Sequence, residues 1–382
     1  MMSRTKRRRR WLIGLGVFFL LLAAAWWYVG PLPLRPGTPP DAPAELACWP
    51  WPGAKTDRPH PGVTRWTARS SDGTVTHLFE FDFTANPGLR LELYDQDEDD
   101  AVPFDDRVDF WPRGVGQITK HLNGVGRGPV VATWNGLFFG YSSSGGKHHN
   151  IARHVAPVVL AGTPRYFVGN HRWTFGVQYR DGRPQFTTLH LPNRKALADN
   201  FTYAAAGAQC LVREGKALQL QPFPQPGEPP LPQPVPSTPA DAGHVPGVDH
   251  MRTSRTSMGW SRDSLQFYLL IVKEPDSEGA SSIALRHRIP LQGGWMVADL
   301  QRFWLAKGAW GAVNIDGGEV TQLAYHLPGG RYGMVPPRYD SRAQHLTFTP
   351  DFPAAPAGGT LMYFYVRDVT KRTSEHPSVR VH

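Results

Sequence analysis

Residues 11–29, WLIGLGVFFLLLAAAWWYV, form an apolar run without a single charged residue. At a helical rise of about 1.5 Å per residue, such a run is long enough to span the hydrocarbon core of a bilayer. Aromatic residues suited to the membrane interface lie at both ends, Trp11 at one and Trp26 to Tyr28 at the other. The run predicts a transmembrane helix, so the rest of the chain must fold outside the bilayer.

The residues before this run predict its orientation. Residues 1–10 form a basic tail with six Lys and Arg side chains, which favours a cytoplasmic N-terminus. Ala23 and Ala25 leave a cleaved signal peptide as the alternative. We favour an uncleaved anchor because the run is longer than a usual signal core and bulky Trp26 and Trp27 follow that cut. In either case the main domain is expected on the periplasmic or extracellular side.

The charge outside the tail argues against nucleic acid as a partner. The formal net charge is +9, and the six basic residues of the tail account for most of it. The remainder is nearly balanced, and no later basic stripe marks a phosphate-binding face. We therefore expect no nucleic-acid binding.

Two proline-rich stretches divide the remaining chain. Residues 30–62 predict a semi-rigid spacer that holds the body off the membrane. Residues 221–247 either separate two domains or form a long loop within one. The body is expected to begin at residue 63.

The body shows more strand signals than helix signals. Residues 63–83 predict a hairpin, in which two alternating arms flank Ser71-Asp72-Gly73. Residues 296–308 have helical periodicity and end at a Gly suited to a C-terminal cap, and AWGAVNI then predicts a buried strand. Other strand candidates are residues 128–140, 172–180 and 265–272. We expect an α+β domain with a strand-rich mixed sheet core and a few packed helices, preceded by the transmembrane helix.

Asp316 follows that buried strand and is the strongest candidate for a catalytic carboxylate. Gly317 and Gly318 come directly after it, and glycines allow a ligand to approach the backbone closely. Asn314 points to the same side as Asp316 if the strand continues that far. The alternative is a plain tight turn, since Asp-Gly is also a common hairpin signal.

Two earlier segments contribute further candidates. Arg255 begins RTSMG, and its planar fork of donors suits a phosphate or carboxylate, although a solvated surface arginine is the alternative. Asn135 and Gly136 lie between two strand signals in ATWNGLFFG, and alone they indicate only a turn.

Together and in this order, the three segments resemble the phosphodiester glycosidase family. The family's Asn-Gly-Gly-Phe-Phe-like segment is matched by residues 135–139, its Arg-Thr-x-x-Gly segment by 255–259, and its Asn-Leu-Asp-Gly-Gly-Gly-Ser-like segment by 314–320. Residues 207–218 also resemble the strand-turn-strand before the arginine segment. Because the resemblance spans roughly residues 63–330, it implies one domain over 63–382, with residues 221–247 as an insertion.

The resemblance implies hydrolysis on the sugar side of a sugar-1-phosphodiester. The export-anchored architecture favours an envelope glycan or glycolipid as the substrate, and we expect no cofactor. A phosphate monoester leaves as a stabilised anion, so the main needs are a carboxylate and a cation. On this basis the catalytic candidates are Asp316, Arg255 and Asn314. The substrate-binding candidates are Asn135, Gly136, Thr256, Gly317, Gly318 and Glu319.

Several positions depart from the family pattern. Leu137 replaces the second glycine of the first segment, and Glu319 and Val320 replace the third glycine and the serine of the last. Glu319 either changes specificity, supplies a second carboxylate or blocks the pocket, while Thr321 retains a hydroxyl nearby. The alternative to an enzyme is therefore a non-catalytic envelope-glycan binding or assembly protein with the same fold.

Three other features leave alternatives open. Cys48 and Cys210 either form a disulfide in an oxidising compartment or remain two free thiols. The histidines of GGKHHNIARH (His148, His149 and His154) form a weak metal candidate, because adjacent strand residues face opposite sides. YDQDEDD begins like a calcium loop but lacks the required glycine, so a solvated acidic loop is favoured. We expect no metal.

Overall fold

The structure is a computed structural model in which part of the chain is described. The described residues are 42–110, 113–125, 128–143, 150–167, 173–221, 238–243, 249–274, 293–336, 347–348 and 359–370. Every described residue belongs to the second of two units, Pro40–His382. The expected basic tail and anchor lie outside the described residues. Within the described part, no helix is long and apolar enough to cross a bilayer.

The second unit is rich in strands. Its three described helices are α1 (Val115–Val125), α2 (Arg194–Asn200) and α3 (Val297–Lys307). Its strands are β1 (Lys55–His60), β2 (Val63–Arg69), β3 (Val75–Asp82), β4 (Leu89–Asp95), β5 (Val108–Phe110), β6 (Val130–Asn135), β7 (Phe139–Ser143), β8 (Asn150–His154), β9 (Val158–Leu160), β10 (Thr163–Arg165), β11 (Trp173–Arg180), β12 (Arg183–His190), β13 (Tyr203–Arg213), β14 (Lys216–Ala217), β15 (Arg255–Trp260), β16 (Gln266–Lys273), β17 (Gly311–Asn314), β18 (Leu323–Leu327), β19 (Arg331–Val335), β20 (Thr347–Phe348) and β21 (Met362–Asp368). Short 3-10 turns cover Gln96–Asp99 and Gly318–Val320.

The strands form three sheets. The largest has the order β1-β2-β3-β16-β15-β17-β13-β11-β12, with β9, β10 and β14 paired beside this path. The second has the order β20-β19-β18-β6-β21-β4, and the third the order β5-β8-β7. The expected α+β class is confirmed. The expected mixed sheet is wrong for the described strands, which all pair antiparallel. The connection from β16 to β17, which contains α3, passes over β15, so these two parallel strands are not neighbours.

The main core lies between the two larger sheets. Phe79 and Phe267 of the large sheet and Trp134 and Phe364 of the second sheet belong to one buried cluster. The other face of the large sheet is covered by α3, through Leu300, Phe303 and Trp304. Helix α1 packs on the outer face of the second sheet. The expected hairpin, the 172–180 and 265–272 strands, and the helix ending at Gly308 (φ 77°) are confirmed.

The boundary expected at residue 63 is wrong. Strand β1 pairs with β2 and extends the large sheet, although its sequence is part of the proline-rich stretch. Trp51 is buried and lies 5.5 Å from Phe303, measured between ring centroids. Burial of Trp51 anchors this stretch. Its prolines lack a backbone N–H, so they are compatible with a strand wherever no hydrogen bond between the strands needs that donor. The folded body therefore includes residues from at least 42 onward.

The two cysteines are free thiols, so the disulfide alternative is not formed. Cys210 is buried within β13, and its sulfur contacts the Thr188 hydroxyl at 3.6 Å. Cys48 is exposed and its sulfur donates to the Glu45 backbone oxygen. Burial raises the pKa of the Cys210 thiol to about 12, so this group is chemically inert at neutral pH.

Candidate functional site

Three strand ends from two sheets meet at Asp316. Strand β17 ends at Asn314, and the chain then turns through residues 315–318. Strand β15 begins at Arg255 alongside it, with Ser257 paired to Asn314. Strand β6 of the second sheet ends at Asn135 and reaches the same turn. The structure thus brings together the three segments that the sequence singled out.

Asp316 is half-buried on this turn. One carboxylate oxygen accepts a hydrogen bond from the Gly317 N–H at 2.8 Å. Burial raises the pKa of Asp316 to about 7, and the Gly317 N–H and the positive charge of Arg255 offset that rise in part. A carboxyl group that titrates near neutral pH can exchange a proton with a substrate or water.

Asn135 joins the two sheets beneath Asp316. Its Nδ2 donates to the backbone oxygen of Asp316 at 2.7 Å. Its Oδ1 accepts from the Thr256 hydroxyl at 2.8 Å and from the Gln322 N–H at 3.3 Å. Asn135 and Thr256 are fully buried, and these bonds use both ends of the amide. Their side chains therefore position the turn from below, instead of facing solvent as binding groups would.

Glycines allow the three segments to approach one another. A Cβ at Gly317 would lie 2.8 Å from the Ser254 backbone oxygen, and one at Gly136 would lie 2.7 Å from the Met362 backbone oxygen. Gly318 has a φ of +64° and begins a 3-10 turn, and its N–H donates to Ser254 O at 2.7 Å. The side chain of Glu319 lies outside the described residues.

Arg255 is buried in the large sheet and not presented at the surface. Its Nε donates to the Trp295 backbone oxygen at 2.9 Å, and one terminal nitrogen donates to Met251 O at 2.5 Å. Burial lowers its pKa to about 10, against the opposing effect of nearby carboxylates, so the side chain remains a cation. Those carboxylates belong to Asp249, Glu274, Asp299 and Asp316. Its charge acts on Asp316 through space.

Asn314 is also fully buried, and its partner was not anticipated from the sequence. Its Nδ2 donates to Gln209 Oε1 at 2.6 Å, and Gln209 Nε2 donates to Asp249 Oδ1 at 2.6 Å. The available signal was a lone amide in the apolar strand YAAAGAQCLVR.

Lys273 was missed as well. It ends the apolar strand β16, and its Nζ donates to the Thr321 backbone oxygen at 2.9 Å, beside the Asp316 turn.

Two buried side-chain polar atoms within residues 311–321 have no hydrogen-bond partner within the described part of the chain. They are Asn314 Oδ1 and the Thr321 hydroxyl, and both residues have no exposed surface. A buried polar group without a partner costs free energy, so native proteins retain few of them. Both flank Asp316, which is consistent with a site that a ligand or water completes.

The acidic loop and His154 form a separate cluster. His154 lies between Asp95 and Asp106, with one ring nitrogen 2.7 Å from each carboxylate. The carboxylates raise the pKa of His154 to about 9 against the effect of burial, so the ring is an imidazolium near neutral pH. Asp95 and Asp97 are fully buried, so a solvated loop is wrong for these residues. No group of three or more ligand side chains suited to a metal occurs among the described residues, which exclude His148 and His149.

Comparisons with known proteins give structural similarity at low sequence identity. No protein-family model and no curated protein sequence matches. The catalytic domain of zebrafish N-acetylglucosamine-1-phosphodiester alpha-N-acetylglucosaminidase, auto-inhibited by its pro-peptide, is 13% identical. The match covers 89% of this chain and 97% of that chain, with a TM-score of 0.46. A hypothetical protein from Synechocystis is 12% identical over 83% and 64% of the two chains, with a TM-score of 0.43.

A third solved structure is that of a protein of Burkholderia pseudomallei K96243. It is 12% identical, with 77% of this chain and 74% of that chain covered and a TM-score of 0.44. At these identities and TM-scores, the similarity assigns no activity to this chain.

Proposed function

We propose that this protein is a hydrolase that cleaves the sugar side of a sugar-1-phosphodiester. The observation that supports it most directly is Asp316: a half-buried carboxyl group with a pKa near 7, on a glycine turn where the three family-like segments meet. A turn residue with only a structural role is usually solvated and ionised at neutral pH. Asp316 instead changes between its protonated and ionised forms near neutral pH.

In the proposed reaction, ionised Asp316 removes a proton from a water molecule as the water attacks the anomeric carbon. The bond between that carbon and the phosphate oxygen breaks, and its electron pair leaves with the phosphate. The products are the free sugar and a phosphate monoester. The leaving group is already a stabilised anion, so no second acid is needed. Arg255 stabilises developing negative charge through its field, while its Nε and one terminal nitrogen donate to backbone carbonyls.

The proposed setting is the outer face of a membrane. The apolar run of residues 11–29 would anchor the protein with its N-terminus in the cytoplasm and its main domain in the periplasm or outside the cell. Its substrate would then be an envelope glycan or glycolipid, such as an exopolysaccharide carrying sugar-1-phosphate diesters. The nearly balanced charge of the body supports a glycan partner over nucleic acid.

Purified full-length protein, incubated with UDP-glucose and UDP-N-acetylglucosamine, tests the proposal. We expect release of free sugar together with the nucleoside diphosphate, and loss of release in Asp316→Asn. The matched control is Glu214→Gln, which neutralises an exposed carboxylate on the turn between β13 and β14. Sugar release that is unchanged in Asp316→Asn would refute the assigned role of Asp316.

The second candidate is a non-catalytic glycan-binding or assembly protein. It is favoured by the burial of Asn135, Thr256, Arg255 and Asn314, whose contacts hold the protein together. The departures at Glu319 and Val320 point the same way. Binding of the same nucleotide sugars without release of sugar, by a protein that is folded, would support this candidate.

A further inference from the structure

A directed chain of hydrogen bonds ends at Asn314. Gln209 of β13 is paired directly with Asn314 of β17, and both are buried at 1% and 0% exposure. Asn314 Nδ2 donates to Gln209 Oε1 at 2.6 Å. Gln209 Nε2 in turn donates to Asp249 Oδ1 at 2.6 Å and to the Gly243 backbone oxygen at 3.0 Å. The chain therefore links a carboxylate to the strand end that carries Asp316.

The orientation of both amides follows from the acceptors at the far end of this chain. A carboxylate and a backbone carbonyl only accept, so the group of Gln209 that faces them must be its nitrogen. Gln209 Oε1 must then face Asn314, and it can only accept from Asn314 Nδ2. Asn314 Oδ1 is consequently the atom that points away from the chain. Each hydrogen bond in this chain also polarises the amide that donates it. Asn314 Oδ1, the last acceptor, therefore accepts a hydrogen bond more strongly.

Asn314 Oδ1 has no donor among the residues that the structure describes. It lies two residues before Asp316 and is fully enclosed. The half-buried turn of residues 316–318 is the nearest part of this segment that reaches the surface. A fixed, enclosed acceptor two residues before a titratable carboxyl group is suited to a ligand that supplies a hydrogen-bond donor.

We propose that Gln209, held by Asp249, is a positioning residue that fixes Asn314 Oδ1 as an acceptor for a donor on the sugar. This inference rests on the proposed function and adds specificity to it: the sugar must carry a hydroxyl or amide N–H at that position. An ether, carbonyl or fluorine there would leave the acceptor unpaired. The donor approaches from the side of the half-buried turn of residues 316–318.

Binding measurements in the Asp316→Asn background test this without turnover. The probes are UDP-glucose, UDP-galactose and UDP-N-acetylglucosamine, followed by fluorinated analogues of the tightest, with one hydroxyl replaced at a time. We expect one analogue to bind at least about tenfold more weakly, because it leaves a buried acceptor unpaired. Adding Gln209→Leu should reduce that discrimination to less than about threefold, because the Asn314 amide can then turn.

Gln301→Leu is the matched control. Gln301 donates from Nε2 to the backbone oxygens of Leu211 and Leu218, so its removal also costs two amide hydrogen bonds to the β13 region. It should leave the discrimination unchanged. Equal discrimination with Gln209→Leu and without it, or the same loss with Gln301→Leu, would show a merely structural role and overturn the inference.

Gln209→Glu gives a second test, with a pH signature. Its carboxyl oxygen can still accept from Asn314, but ionised Glu faces the Asp249 carboxylate and only its protonated form can donate to it. Discrimination should therefore recover toward acid pH. Failure to recover in a folded variant counts against the inference. If the analogues are discriminated but the wild-type protein hydrolyses none of the sugars, the proposed hydrolase is refuted and the positioning role stands. If none of the probes binds, the positioning role is overturned.

Discussion

Asn135 Nδ2 donates to the backbone oxygen of Asp316 at 2.7 Å, and this bond joins the two sheets at the candidate site. Because Asn135 belongs to the second sheet and Asp316 follows a strand of the large one, the bond fixes where the carboxyl group lies. Asn135→Ala removes it together with the bonds from Thr256 and Gln322. We expect a loss of about 2–3 kcal/mol in the free energy of unfolding.

The same variant should lower sugar release by more than about tenfold, because the turn loses its support. Asn200→Ala is the control, since it removes a single bond from Nδ2 to the Ala196 backbone oxygen in α2. Urea unfolding and the rate of sugar release give both quantities. A stability loss equal to that of Asn200→Ala would contradict a special role for Asn135.

Gly317→Ala should disturb the turn by steric conflict. The added Cβ would lie 2.8 Å from the Ser254 backbone oxygen, which cannot move without shifting β15. Overpacking of this kind costs about 1–3 kcal/mol. Gly124→Ala, where a Cβ meets nothing within 4 Å in helix α1, should instead stabilise the protein slightly. Thermal unfolding of the two variants compares them, and equal effects would rule out the close approach at Gly317.

Asp316→Asn should change how stability depends on pH. The folded-state pKa of Asp316 is raised to about 7, so folding of the wild-type protein becomes less favourable as pH rises from about 4 to 7. The neutral amide lacks this penalty. We expect the variant to be about 1–2 kcal/mol more stable than wild type at pH 8, after allowance for solvent screening, and equal near pH 4. Urea unfolding at both pH values measures the difference.

The pH dependence of sugar release should report the same carboxyl group. If ionised Asp316 acts as the base, kcat/KM rises with pH and levels off above about 7. An acid role would give the opposite slope, with activity falling through that range. Rates measured from pH 5 to pH 9 distinguish the two, and a flat profile would remove Asp316 from the proton-transfer step.

His154 should make the protein less stable in alkaline solution. Its folded-state pKa is raised to about 9 by the two carboxylates, above its ordinary value of 6.5. The stabilisation is therefore complete below about pH 6.5 and is lost as pH rises toward 9, by about 2 kcal/mol in total. His154→Gln should flatten this dependence between pH 6 and pH 10. The prediction is contradicted if the free energy of unfolding of the variant depends on pH in the same way as that of the wild-type protein.

Parts of this structure could be predicted from the sequence because they depend on neighbouring residues. The hairpin around Gly73 and the helix ending at Gly308 follow from local periodicity and turn chemistry. The convergence of residues 135, 255 and 316 was indicated only by motif order. Gln209 and Asp249 could not be assigned, since their partners are set by strand register and by a loop distant in the chain. Proline density concealed β1, because the burial of Trp51 depends on a helix far along the sequence.

Strand β21 lies between β4 and β6 in the second sheet, yet it is the last strand described along the chain. Strands β4 and β6 therefore gain their shared neighbour only after residues 362–368 have been synthesised. Pairings of such long sequence separation form slowly, and they cannot begin until most of the chain has been synthesised. The order of the strands thus favours folding after translation. It also makes the Asn135 end of the site among the last parts to assemble.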